Sequence, residues 1–95
     1  MYIFLENQQH ERISEKVGDD AAESFTSACQ AAPEGSIMRG VQRYGDTMLN
    51  KLQLERFVRE LHQLPEEQKT EAIRHVTEMA QQAAACGGYM YFSGD

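Results

Sequence analysis

The sequence predicts an α+β domain in which a small sheet pairs the N- and C-terminal strands and packs against three helices. Three observations carry this. "MYIFLE" at residues 1–6 is rich in aromatic and aliphatic side chains, "YMYFS" at residues 89–93 has the same character, and the apolar residues between them recur at helical spacing. An isolated strand leaves its backbone groups unsatisfied, so two strands at opposite ends of a short chain are expected to pair. A chain of 95 residues supplies one core, and residues 1–95 read as a single domain.

In the first strand Tyr2 and Phe4 point one way and Ile3 and Leu5 the other. The pattern leaves open whether "RISEKV", residues 12–17, adds a third strand. A first helix is expected from Gly18 and Asp19 to about Ala31, because Ala21, Ala22, Phe25, Ala28 and Cys29 share a face and Pro33 closes the segment. Asp19 is its expected N-cap. The second helix opens on a capping box, Asn50 with Gln53, and carries the stripe Leu54, Phe57, Val58, Leu61 and Leu64. Four-residue spacing pairs Glu55 with Arg59 and Arg56 with Glu60 on its outer side. Pro65 suits the first turn of a third helix, where Glu66 and Glu67 complement the dipole and Ala72, Ile73, Val76, Met79, Ala80 and Ala83 face the core. Gly87 and Gly88 end it.

Charge narrows the function. The net charge of −6 argues against a nucleic-acid partner, because neutralising phosphates requires a surplus of Lys and Arg. The acids concentrate early: residues 1–36 carry a net −5, residues 37–64 a net +2 and residues 65–95 a net −3. The first ten residues lack the basic and apolar regions of a secretory signal, and no apolar run approaches the roughly 20 residues that span a bilayer, so a cytoplasmic protein with no membrane partner is expected. Cys29 and Cys86 lie far apart without metal spacing and are expected to be reduced, buried small side chains.

The densest polar motif is "RYGDTMLNKLQ", residues 43–53. Tyr44, Asp46 and Thr47 have oxygens that could serve a small enzyme. The same residues are also turn chemistry: Gly45 is free to take positive φ, Asp46 can bond a backbone N–H two residues on, and Asn50 and Gln53 satisfy donors at a helix start. Architecture accounts for the motif without a substrate. His10, His62 and His75 fall on three segments without metal-ligand spacing, and no glycine loop precedes a helix to cradle phosphate, so neither metal nor cofactor is expected. Glu66, Glu67 and Glu71 read as a solvated first helical turn.

"YGDTMLNKLQ" is similar to the centre of a family of short bacterial proteins whose middle reads Y-G-D-T, two mostly apolar residues, N, two residues, Q, and whose chains close on F-x-G-D. Phe92, Gly94 and Asp95 of "YMYFSGD" stand in the matching places. Met48-Leu49 replaces a β-branched or aromatic pair, which leaves the motif's polar atoms intact. Such proteins resemble the immunity proteins of polymorphic antibacterial toxins. The resemblance implies an inhibitor that blocks a toxin's active site or its access to target, and the acidic charge fits a toxin with a basic cleft, such as an ADP-ribosyltransferase or a nuclease. The acids at the start of the expected first helix, Glu15, Asp19, Asp20 and Glu23, together with Glu11, are the expected contact surface. An adaptor or chaperone-like module of a secretion system is the alternative, and would require an exposed apolar patch.

Overall fold

The computed structural model describes residues 1–94, so Asp95 of the F-x-G-D ending lies outside the described residues. Its elements are β1 (Tyr2–Glu6), β2 (Val17–Gly18), α1 (Ser24–Ala31), α2 (Ile37–Gly40), β3 (Thr47–Leu49), α3 (Lys51–His62), α4 (Glu71–Ala85) and β4 (Tyr89–Ser93). The terminal strands pair antiparallel, Ile3 opposite Phe92 and Leu5 opposite Met90, at the centre of a sheet ordered β2-β1-β4-β3. The domain is therefore α+β with the expected terminal pairing.

Burial alternates along β1 and β4 and marks which side of the sheet is the core. Ile3, Leu5, Leu49, Met90 and Phe92 are buried beneath the helices with Phe25, Leu54, Phe57, Leu61, Ile73, Val76 and Ala80 in one cluster. At its middle the Phe92 ring stacks on Phe25, centroids 5.6 Å apart, and meets Phe57 edge-on at 5.8 Å. The stripe read from α3 supplies Leu54, Phe57 and Leu61 to this core, while Val58 and Leu64 pack at its margin.

α3 begins as its sequence dictates. Asn50 Oδ1 accepts from Gln53 N–H at 3.0 Å, and Gln53 Oε1 accepts from Asn50 N–H at 2.9 Å. Both donors would otherwise be orphaned at the helix start. Asn50→Ala is expected to cost about 1 kcal/mol. Urea melts followed by circular dichroism would measure it, and an unchanged midpoint would contradict the cap.

The first helix starts later than expected. Residues 17–18 pair with β1, Ala21 and Ala22 are exposed in a turn, and α1 begins at Ser24. Asp19 is not its N-cap: that place belongs to Glu23, in the left-handed region at φ 55° and without a side-chain capping bond. Asp19 reaches the helix start from outside, accepting from Phe25 N–H at 3.1 Å and from Thr26 N–H at 2.9 Å. Of residues 12–17 only Val17 joins a strand, with an isolated bridge from Arg12 to Glu6.

α2 and β3 were not anticipated. Met38 and Val41 bury in the core, and Leu49 does so from a strand only three residues long. Pro65 does not open a helix either. It precedes a 3₁₀ turn, Glu66–Gln68, and the α-helix starts after Thr70, whose hydroxyl accepts from Ile73 N–H at 3.3 Å. A side-chain acceptor three residues before the first core position thus outranks the proline signal. At the other end Gly87 takes φ 67°, and Gly88 N–H bonds to Ala83 O at 2.9 Å. Among the described residues Glu55–Arg59 makes no ion pair, whereas Arg56 and Glu60 meet at 3.3 Å.

Candidate functional site

The turn of residues 44–47 and the C-terminal segment come together. Asp46 Oδ1 accepts from Gly94 N–H at 3.1 Å, across the molecule instead of from the N–H two residues on. A Cβ on Gly94 would stand 2.4 Å from Gly45 O, so only glycine permits this approach. Thr47 Oγ1 donates to Gly40 O at 3.4 Å, a long contact on the same turn. Tyr44 is exposed, with the Arg43 guanidinium 5.8 Å from its ring centre. None of the clefts described below is lined by Tyr44, Asp46 or Thr47, and the oxygens of Asp46 and Thr47 are engaged with backbone.

Three of the five candidate acids share one place. Asp19, Asp20 and Glu23 line a cleft of about 270 Å³ with Met1, Tyr2, Gly18, Thr26 and Arg43. Their carboxylates are engaged within the fold. Asp19 Oδ2 also accepts from the Thr26 hydroxyl at 2.8 Å, Asp20 accepts from Ser24 N–H at 2.8 Å and from its hydroxyl, and Glu23 pairs with Arg43. The Ser24 hydroxyl, followed by its N–H, holds the Asp20 carboxyl below its ordinary pKa. Glu11 and Glu15 lie apart on the exposed 7–16 loop, where Glu11 accepts from Asn7 Nδ2 at 3.1 Å. Three of the five acids of the expected contact surface are thus engaged in local structure.

A second surface borders this cleft at Tyr2. The face of the sheet opposite the helices carries Tyr2, Phe4 and Glu6 from β1, Tyr89, Tyr91 and Ser93 from β4, and Met48 from β3. Register sets Phe4, Tyr91 and Met48 side by side across three strands. The Phe4 and Tyr91 rings stack parallel, centroids 5.1 Å apart. At the far end His10 stacks on Tyr89 at 4.2 Å, with its Nδ1 3.2 Å from Glu6 Oε1. Burial, and then the neighbouring Glu6 carboxylate, raise the Tyr91 pKa. Tyr2 stays 57% exposed and Met48 43%, Phe4, Tyr89 and Tyr91 are half-buried, and among the described residues the helices pack on the other side.

A further cleft, of about 620 Å³, lies between α1, α2 and the end of α3. Its Glu60 accepts from Ile37 N–H and Met38 N–H, both at 2.9 Å, and so anchors the start of α2. Cys29 is buried, and burial, aided by Asp19 and Glu60, pushes its thiol up to about 12, which leaves it unreactive near neutral pH. Cys86, expected to be buried, is exposed just beyond α4. Among the described residues no group of three His, Cys, Asp or Glu side chains is placed to hold a metal ion, and no helix is long and apolar enough to cross a membrane.

No protein-family model, curated protein or solved structure matches the chain. The fold brings the central and C-terminal motifs into contact at Asp46 and Gly94. The open aromatic face was not singled out in the sequence. Both parities of β1 are apolar, so alternation gave no sign of which side the helices would leave uncovered.

Proposed function

We propose that this protein is a stoichiometric protein-binding module, an immunity protein that holds a toxin domain and blocks its active site or its access to target. The observation that carries the proposal is the joining of an uncovered aromatic sheet face to an acidic corner through Tyr2. Specific interfaces have this composition, with aromatic side chains at the centre and polar groups around them. The net charge of −6 adds attraction toward a basic cleft, which speeds encounter more than it tightens the final complex.

The adaptor reading draws on the same face, since it requires an exposed apolar patch. The two differ in the partner: a toxin domain encoded next to this gene for the first, a secretion component for the second. Co-expression of the adjacent gene product, with survival and complex formation as readouts, separates them. Rescue of growth and a one-to-one complex support immunity. An inert neighbour that still forms the complex supports the adaptor.

Charge steering is testable on exposed acids whose side chains hold no helix in place. Glu11→Lys with Glu15→Lys is expected to slow association with the toxin domain by roughly tenfold at low salt, and Glu67→Lys with Glu78→Lys by much less. The difference should shrink as ionic strength rises. Equal losses from both double variants at low salt would remove Glu11 and Glu15 from the interface. Asp20 and Glu23 suit this test poorly, because reversing them breaks the Ser24 and Arg43 contacts as well.

A further inference from the structure

We infer that the open sheet face is a docking site for a partner protein surface that presents arginine or lysine beside apolar side chains. The inference rests on the protein-binding reading and moves its centre from the acidic corner to the aromatic rows. The middle row is Phe4, Tyr91 and Met48, and the rows to either side are Tyr2 with Ser93 and Glu6 with Tyr89. Tyrosine and phenylalanine rings already stacked on their neighbours, as Phe4 is on Tyr91, lose little conformational freedom when covered, which is why such residues dominate interface energetics.

Charge selects the occupant. The Glu6 carboxylate stands within the aromatic rows, beside Tyr91 and against His10. Asp20 and Glu23 border the Tyr2 corner, and Asp46 precedes β3. Of the neighbouring bases, Arg43 is paired with Glu23, and Arg12 stands opposite Glu6 at a backbone bridge, so the acids Glu6, Asp20, Glu23 and Asp46 outnumber the bases around this face. A cation entering this face meets aromatic ring faces and a carboxylate together, a combination suited to guanidinium. A second copy of this chain is disfavoured, because a two-fold contact through this face would set the acids of one copy, Glu6 and those bordering Tyr2, against the acids of the other.

The test uses the full chain labelled for NMR and a short synthetic peptide alternating Arg and Leu, with the Glu-for-Arg peptide as control. Titration with the Arg peptide is expected to move the ring resonances of Tyr2, Phe4, Tyr89 and Tyr91 saturably, and the Glu peptide to leave them in place. Tyr2→Ser with Met48→Ser, both at exposed positions, should keep the dispersed spectrum of the fold and weaken binding about tenfold, the size of a substantial interface contact. Leu52→Ser, more exposed still but on α3, should change it by less than about twofold. Shifts centred elsewhere, equal losses from both variants, or equal binding of the Glu peptide would overturn the inference. So would sedimentation showing a dimer that the Tyr2 and Met48 changes dissociate, which would give the face to a second copy. Failure of the toxin reading shows separately, as an adjacent gene product that does not bind while the Arg peptide still maps to this face.

Discussion

Phe57→Ala is expected to destabilise the domain by about 3–5 kcal/mol, a large share of the roughly 5–15 kcal/mol that holds a domain folded. The Phe57 ring is fully buried, edge-on to Phe25 with centroids 6.2 Å apart and edge-on to Phe92 at 5.8 Å. Removing it takes away its own burial and leaves the other two rings facing a void. Those rings come from α1 and β4, so collapse onto the void would require helix and sheet to shift together. The cost therefore belongs in the upper part of the range. Guanidinium denaturation of the variant beside Leu52→Ala, which loses an exposed side chain, would isolate the core contribution. A loss below about 1 kcal/mol, the typical cost of an ordinary point mutation, would contradict this packing.

Gly88→Ala carries the second large effect and acts through backbone. An added Cβ would stand 2.2 Å from Glu6 O and 3.2 Å from Cys86 Sγ. The oxygen belongs to β1, the strand that β4 pairs with one residue later, so the methyl could fit only by prising the central pair apart at Glu6 and Tyr89. Rotamer changes cannot relieve a clash with main chain. A loss of about 3 kcal/mol, the upper end for overpacking, is expected. Gly40→Ala has open space at its Cβ position and should leave stability within about 0.5 kcal/mol. Comparing the two melts separates crowding from the general effect of replacing glycine, and equal midpoints would refute the close approach.

These two sites show what the sequence could and could not tell. Phe57 was legible because α3 is long, amphipathic and capped by its own residues, so local signals and tertiary packing agree. The terminal strands were legible for a related reason: aromatic composition marks them, and unpaired backbone demands a partner. The start of α1 was not, because Asp19 bonds Phe25 and Thr26 from six and seven residues away, a reach that short-range capping rules do not include. β3 hid within turn chemistry, since three residues are too few to show a period and its pairing partner lies at the far end of the chain. Asp46 misled similarly: its carboxylate had a plausible local acceptor role, and the fold used it at Gly94. The candidate acids were identified by net charge, which does not reveal that Asp19, Asp20 and Glu23 are each engaged by neighbours.

The order β2-β1-β4-β3 also sets a timetable for folding in the cell. β2 pairs with β1, β3 pairs with β4, and within the sheet the two halves join through the β1–β4 ladder, from Tyr2 opposite Ser93 to Glu6 opposite Tyr89. α1, α3 and α4 draw on local hydrogen bonds and can form while the chain is still growing. The sheet cannot close until residues 89–93 have been made. At synthesis rates of about 5–20 residues per second, β1 waits on the order of ten seconds beside the ribosome with its inner strand neighbour missing. During that interval both faces of β1, and the edge that β4 will take, are open to any extended segment nearby. Loop closure over nearly the whole chain then becomes the slow step, so refolding in vitro should be slower than for a helical domain of the same size.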